Sequence, residues 1–79
     1  MADITIKKTL DARGLKCPMP VVKTKQEIDT IAIGEVLEVL ATDPGSMADI
    51  NAWCKSTGNE LLKMEKGEGV FKFLIKKVK

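Results

Sequence analysis

The residues that could do chemistry lie together in Asp11-Ala12-Arg13-Gly14-Leu15-Lys16-Cys17-Pro18-Met19-Pro20. Proline suits the first position of a helix, where its missing N–H would have no intrahelical partner, so Pro18 reads as a helix start. The same proline holds Cys17 to the extended dihedrals of a cap residue. The thiol is thus expected at the amino end of a helix, where free amides and the macrodipole supply partial positive charge. Arg13 and Lys16, close in sequence, add charge of the same sign. Such surroundings favour thiolate over thiol, which makes Cys17 the candidate nucleophile. Pro20 supports the same helix start and, by disfavouring helical dihedrals at Met19, could move it by two residues. Two prolines also stiffen the turn, so the sulfur can be offered to another protein's active site without ordering a loop. The alternative is a small apolar side chain tucked under the turn. A cap selected only for stability would be Ser, Thr, Asp or Asn, however, and the neighbouring Lys16 argues for exposure.

The rest of the composition narrows what that thiol can do. The chain of 79 residues has no histidine, which removes the usual base, the usual metal ligand and the usual activator of a nucleophilic Ser or Cys. No metal site and no cofactor site is expected. The second cysteine, Cys54, shares an apolar helical stripe with Met47 and Ile50 and reads as core. A disulfide with Cys17 would need their α-carbons within about 7 Å. Two cysteines are too few for the framework of a small secreted domain and lack Cys-x-x-Cys spacing, so a reducing cytoplasm is the expected location. No apolar run approaches the roughly 20 residues of a membrane span, and the first residues lack a signal-peptide core. A net charge of +2 does not announce nucleic acid, and Trp53, Phe71 and Phe73 offer little for base stacking.

The elements that must position Cys17 follow from periodicity. Ile4, Ile6 and Leu10 alternate with polar residues as a first strand, Lys8 being the exception. From Pro18 to about Ile31 the period lengthens, with Val21, Thr24, Ile28 and Ile31 on one face of a helix and a Lys25–Asp29 pair on the outer one. Glu35 to Thr42 is apolar on both faces, as an interior strand is. Asp43-Pro44-Gly45 is a turn, and Ser46-Met47-Ala48-Asp49 fits a capping box opening a second helix that ends near Thr57 at Gly58. Its buried stripe is expected to be Met47, Ile50, Trp53 and Cys54. Glu60 to Glu65 and Val70 to Val78 read as a hairpin across Lys66-Gly67-Glu68-Gly69. The order βαβαββ predicts an α/β two-layer sandwich, a mixed four-stranded sheet with two helices on one face, in a single domain over residues 1–79. Lys72, Lys76, Lys77 and Lys79 suggest an exposed strand that uses lysine against edge pairing, or else a docking patch for an acidic partner or a tRNA backbone. Gly67 and Gly69 are hairpin glycines, since neither follows a strand into a helix as a phosphate loop would.

Arg13-Gly14-Leu15-Lys16-Cys17-Pro18-Met19-Pro20 resembles the signature of the TusA/SirA-like family of small sulfur carriers, Cys-Pro-x-Pro after an Arg-Gly-Leu segment. Asp43-Pro44-Gly45-Ser46 and the element order are similar to that family too, so the likeness spans nearly the whole chain. The resemblance implies a sulfurtransferase that holds a sulfane sulfur as a persulfide on Cys17. It implies a cysteine desulfurase or rhodanese-like donor and a downstream sulfur-relay protein, for example towards tRNA 2-thiouridine or in sulfur metabolism. Nucleic acid would be an indirect partner at most, and a membrane no partner. Two other readings compete. One is an RNA-binding or regulatory interaction module with Cys17 structural; the other is a thiol redox protein that uses Cys17 with Cys54.

Overall fold

The computed structural model describes residues 5–16 and 19–78. In chain order they form β1 (Ile6–Ala12), α1 (Met19–Ile28), β2 (Val36–Ala41), α2 (Ser46–Thr57), β3 (Glu60–Lys66) and β4 (Phe71–Lys76). The strands make one four-stranded sheet in the order β1-β2-β4-β3. β1 and β2 are parallel, and β4 is antiparallel to both β2 and β3. This is the expected mixed sheet, with both helices packed on one face.

The register shows how the face is built. Leu37, Val39 and Ala41 of β2 lie opposite Ile75, Phe73 and Phe71 of β4, and all six are buried. Ile28 and Ile31 from the α1 side and Ile50 and Cys54 from α2 complete the same core cluster. Burying each such large side chain contributes roughly 1.5–3 kcal/mol. The other face carries Val36, Glu38 and Leu40 beside Lys76, Leu74 and Lys72, so β2 and β4 are half apolar even where no helix covers them. That is why β2 reads as apolar on both sides.

Several local expectations are corrected. β1 contains an irregularity between Ile6 and Lys8, which sets Lys8 opposite Leu37 on the helix side and Ile6 opposite Val36 on the other. Lys8 is therefore no misplaced polar residue: its ammonium reaches Glu27 Oε2 at 2.7 Å and donates to Thr30 Oγ1 at 3.1 Å. Lys77 Nζ donates to the Ile31 carbonyl at 2.9 Å, so two lysines gather at the carboxyl end of α1, where the helix dipole favours cations. Ile4 lies outside the described residues. α1 stops at Ile28, short of Ile31, but a tight turn from Glu27 to Ile31 still brings Ile31 into the core. Among the described residues no Lys25–Asp29 ion pair forms: α1 ends at Ile28, so Asp29 lies past the helical spacing that such a pair needs.

The capping box at α2 does not form. Gly45 is the cap, Ser46 is the first helical residue, and the Ser46 hydroxyl donates backwards to the Asp43 carbonyl at 2.7 Å. The helix starts one residue earlier than a Ser46 cap requires, so Ser46 is buried in the first turn. Its end is as expected, at Gly58 with φ 82°, whose N–H donates to the Cys54 carbonyl. In the hairpin only Gly69 takes a positive φ, 71°. β4 lies between β2 and β3, so its lysines do not guard an edge. Lys72 instead lies 3.8 Å from Glu38 on the neighbouring strand. Lys79 is outside the described residues.

Candidate functional site

Parallel β1 and β2 end opposite one another at Ala12 and Ala41. Both strand-to-helix connections therefore leave the same carboxyl edge of the sheet, and α1 and α2 both begin there. Open α/β sheets place their working residues at such an edge, because helix amino ends and connecting loops converge on it.

The β1–α1 connection is tied down amide by amide. Arg13 N–H donates to Asp11 Oδ1 at 3.1 Å, and Gly14 N–H donates to Thr42 Oγ1 at 2.8 Å. Leu15 N–H donates to the Ala12 carbonyl at 3.2 Å, and Met19 N–H to the Lys16 carbonyl at 2.9 Å. Gly14 has φ 83°, a left-handed conformation that side chains with a Cβ adopt at a cost, which explains a glycine between Arg13 and Leu15. Leu15 turns inward and packs against the core, while Lys16 stays exposed.

The Arg13 side chain is held by a carboxylate two residues back. Its guanidinium forms a two-point pair with Asp11, Nε to Oδ1 at 2.8 Å and Nη2 to Oδ2 at 2.9 Å. The Arg13 side-chain hydrogen bonds, and then its backbone N–H, hold the Asp11 carboxyl down at about 2, while Asp11 raises Arg13 in return. Arg13 thus carries its own counter-charge, and Lys16 is exposed with no ion pair among the described residues. Asp11 and Thr42 were not singled out from the sequence. A signal for Asp11 was its place two residues before Arg13; Thr42 had only its place before Asp43-Pro44.

Cys17 and Pro18 lie outside the described residues. The described helix begins at Met19, and Pro20 is its second residue, within the first turn where no intrahelical N–H is required. Pro20 is also buried, and its carbonyl accepts the Thr24 hydroxyl at 2.7 Å, so it packs α1 as well as opening it. Val22 and Met19 are exposed on this helix. Cys54 sits in the third turn of α2, 3 % exposed, and burial pushes its thiol up to about 11. Trp53 packs against the core while keeping part of its surface. Among the described residues, no three His, Cys, Asp or Glu side chains are grouped to hold a metal ion. No described helix is long and apolar enough to cross a membrane.

The fold places the chain in a class of small α/β proteins with this sheet and helix arrangement. It is similar to a crystal structure of a SirA-like protein from Desulfitobacterium hafniense, with a TM-score of 0.78, 27 % identity, and coverage of 91 % of this chain and 99 % of that one. Residues 8–77 match the family model described as Sulfurtransferase TusA, and the chain belongs to that family. It is 56 % identical over 79 residues to a Halobacterium salinarum protein with the provisional name of sulfur carrier protein, covering 99 % of this chain and 98 % of that one. It is 48 % identical over 77 residues to the sulfur carrier protein TusA of Allochromatium vinosum, covering 98 % and 99 %.

Proposed function

We propose that residues 1–79 act as one sulfur-carrier domain in which Cys17 accepts a sulfane sulfur and passes it on. The observation that carries this reading is the burial of the other thiol, Cys54. Cys54 is buried and held protonated, so in a sulfurtransferase family chain the exchange falls to Cys17, in the Cys-Pro-x-Pro segment within the matched span.

The step balances without a cofactor or an oxidant. The Cys17 thiolate attacks the outer sulfur of a donor persulfide, a new S–S bond forms, and the donor's S–S bond breaks with release of the donor thiolate. In the second half an acceptor thiolate attacks the outer sulfur held on Cys17, and Cys17 leaves as thiolate. A thiol of low pKa is a good leaving group, and the amino end of a following helix favours that state. The donor is a cysteine desulfurase or a rhodanese-like protein, the acceptor a further relay protein, and a reducing cytoplasm keeps the Cys17 thiol available. Sulfur destined for tRNA 2-thiouridine is one route such a relay serves.

The test is intact-mass measurement after incubation with a cysteine desulfurase and cysteine. Wild type and Cys54→Ala should gain about 32 Da, one sulfur atom, and Cys17→Ser should gain none. No adduct on wild type, together with salt-sensitive RNA binding, would overturn the proposal in favour of an RNA-binding module. A form two mass units lighter than the reduced protein, requiring both cysteines, would favour a redox role.

A further inference from the structure

Residues 13–16 of the β1–α1 connection owe their shape to local bonds, and their place on the sheet, among the described residues, to the packing of Leu15 and to one distant hydrogen bond. Arg13 and Leu15 donate to Asp11 and Ala12, within the same short segment. Gly14 donates instead to the hydroxyl of Thr42, 28 residues on, directly after β2. That bond joins the connection to the opening of the β2–α2 turn, where the Ser46 N–H and hydroxyl both return to the Asp43 carbonyl. It is made by a side chain, so substitution can remove it without altering any backbone. Gly14, at φ 83°, turns its N–H towards Thr42 in a conformation an L side chain would resist.

We infer that Thr42 is a positioning residue for sulfur transfer, its hydroxyl fixing the segment that leads into Cys17 against the end of β2. The inference rests on the reading of Cys17 as the sulfur-bearing residue. A strand end is rigid because its neighbours in the sheet hold it, whereas a turn held by its own bonds and one packed side chain, Leu15, keeps freedom to pivot about that contact. With the Thr42 tie gone, residues 13–16 sample more orientations. A thiol carried by that turn then meets both a donor's persulfide and the α1 amino end in the productive arrangement less often.

Thr42→Val keeps the branched shape and removes the acceptor; Thr42→Ser keeps the acceptor. The Gly14–Thr42 bond is solvent-exposed, so water replaces the lost partner in Thr42→Val and the fold survives, which circular dichroism and thermal melting verify. Two readouts are taken: the second-order rate of persulfide loading from a cysteine desulfurase, and the pH profile of Cys17 alkylation by iodoacetamide. For Thr42→Val we expect loading slowed at least about fivefold and an alkylation midpoint moved to higher pH, with Thr42→Ser within about twofold of wild type. Wild-type behaviour of Thr42→Val in either readout overturns the inference, as does a Thr42→Ser protein that behaves like Thr42→Val. Should wild type itself take up no sulfur, the functional reading fails, and the alkylation profile alone then decides whether Thr42 positions the thiol.

Discussion

Asp11 and Arg13 form an exposed pair whose shape is planar and two-pointed, the geometry in which guanidinium and carboxylate hold each other most specifically. Its consequence for pH follows from the depressed Asp11 carboxyl. A carboxyl lowered from 3.8 to about 2 in the folded state favours folding above its unfolded value, and that contribution is lost as pH falls through about 2. An NMR titration should place Asp11 near 2 in wild type and return it towards 3.8 in Arg13→Ala. Cys54 has the opposite sign. Burial raises its thiol from 9 to about 11, so its contribution is complete below pH 9 and disappears as pH climbs through about 11. Iodoacetamide should therefore leave Cys54 unmodified in the native protein at neutral pH and label it once denaturant is added. The sequence placed Cys54 in the core because it shares a helical stripe with Ile50. The Arg13 pairing was less legible: proximity to Cys17 suggested a charge aimed at the thiol, and a carboxylate two residues earlier on β1 takes that charge instead.

Among the elements, the two strand-to-helix connections at the carboxyl edge bear the most on function. Gly14 is the left-handed residue of the first. Among the described residues, its chain neighbours aside, no atom lies within 4 Å of where its Cβ would stand, so Gly14→Ala meets the backbone cost of φ 83°. That cost is about 1–2 kcal/mol, and urea unfolding should show a loss of that size with the slope of the transition unchanged. Where local rules alone govern an element, periodicity found it: α2 ends at Gly58, and β2 is apolar on both faces. Where two local rules compete, it did not. Ser46 fits a cap by type, yet the Asp43-Pro44-Gly45 turn delivers Gly45 to the cap position and carries Ser46 into the first turn. Lys8 breaks the alternation of β1 because an irregularity beside it changes which face it occupies, and no single-strand pattern reveals an irregularity that only the partner strand defines.

At the scale of the molecule, the core is the seam between the inner strands β2 and β4 and the helices above them. Phe73 stands at its centre, fully buried and opposite Val39 on one side and Met64 on the other. Phe73→Ala should cost about 3–5 kcal/mol, a large part of the stability of a chain this size, and the unfolding midpoint in urea would report it. Such a loss has a functional side, because the same seam holds the ends of β1 and β2 in register and so fixes the edge where both helices start.

Local chemistry is legible in the residues alone: a proline-flanked cysteine before a helix, the order of strands and helices, and a second thiol facing inward. The sequence also excluded histidine chemistry outright. Only the tertiary structure decided which strands lie in the middle, because strand order depends on pairings between distant segments. That order turned Lys72 of β4 from an edge guard into a neighbour of Glu38, and set Lys77, just after β4, at the end of α1. It also brought Thr42 to Gly14, a contact between residues 28 apart that no period or spacing encodes.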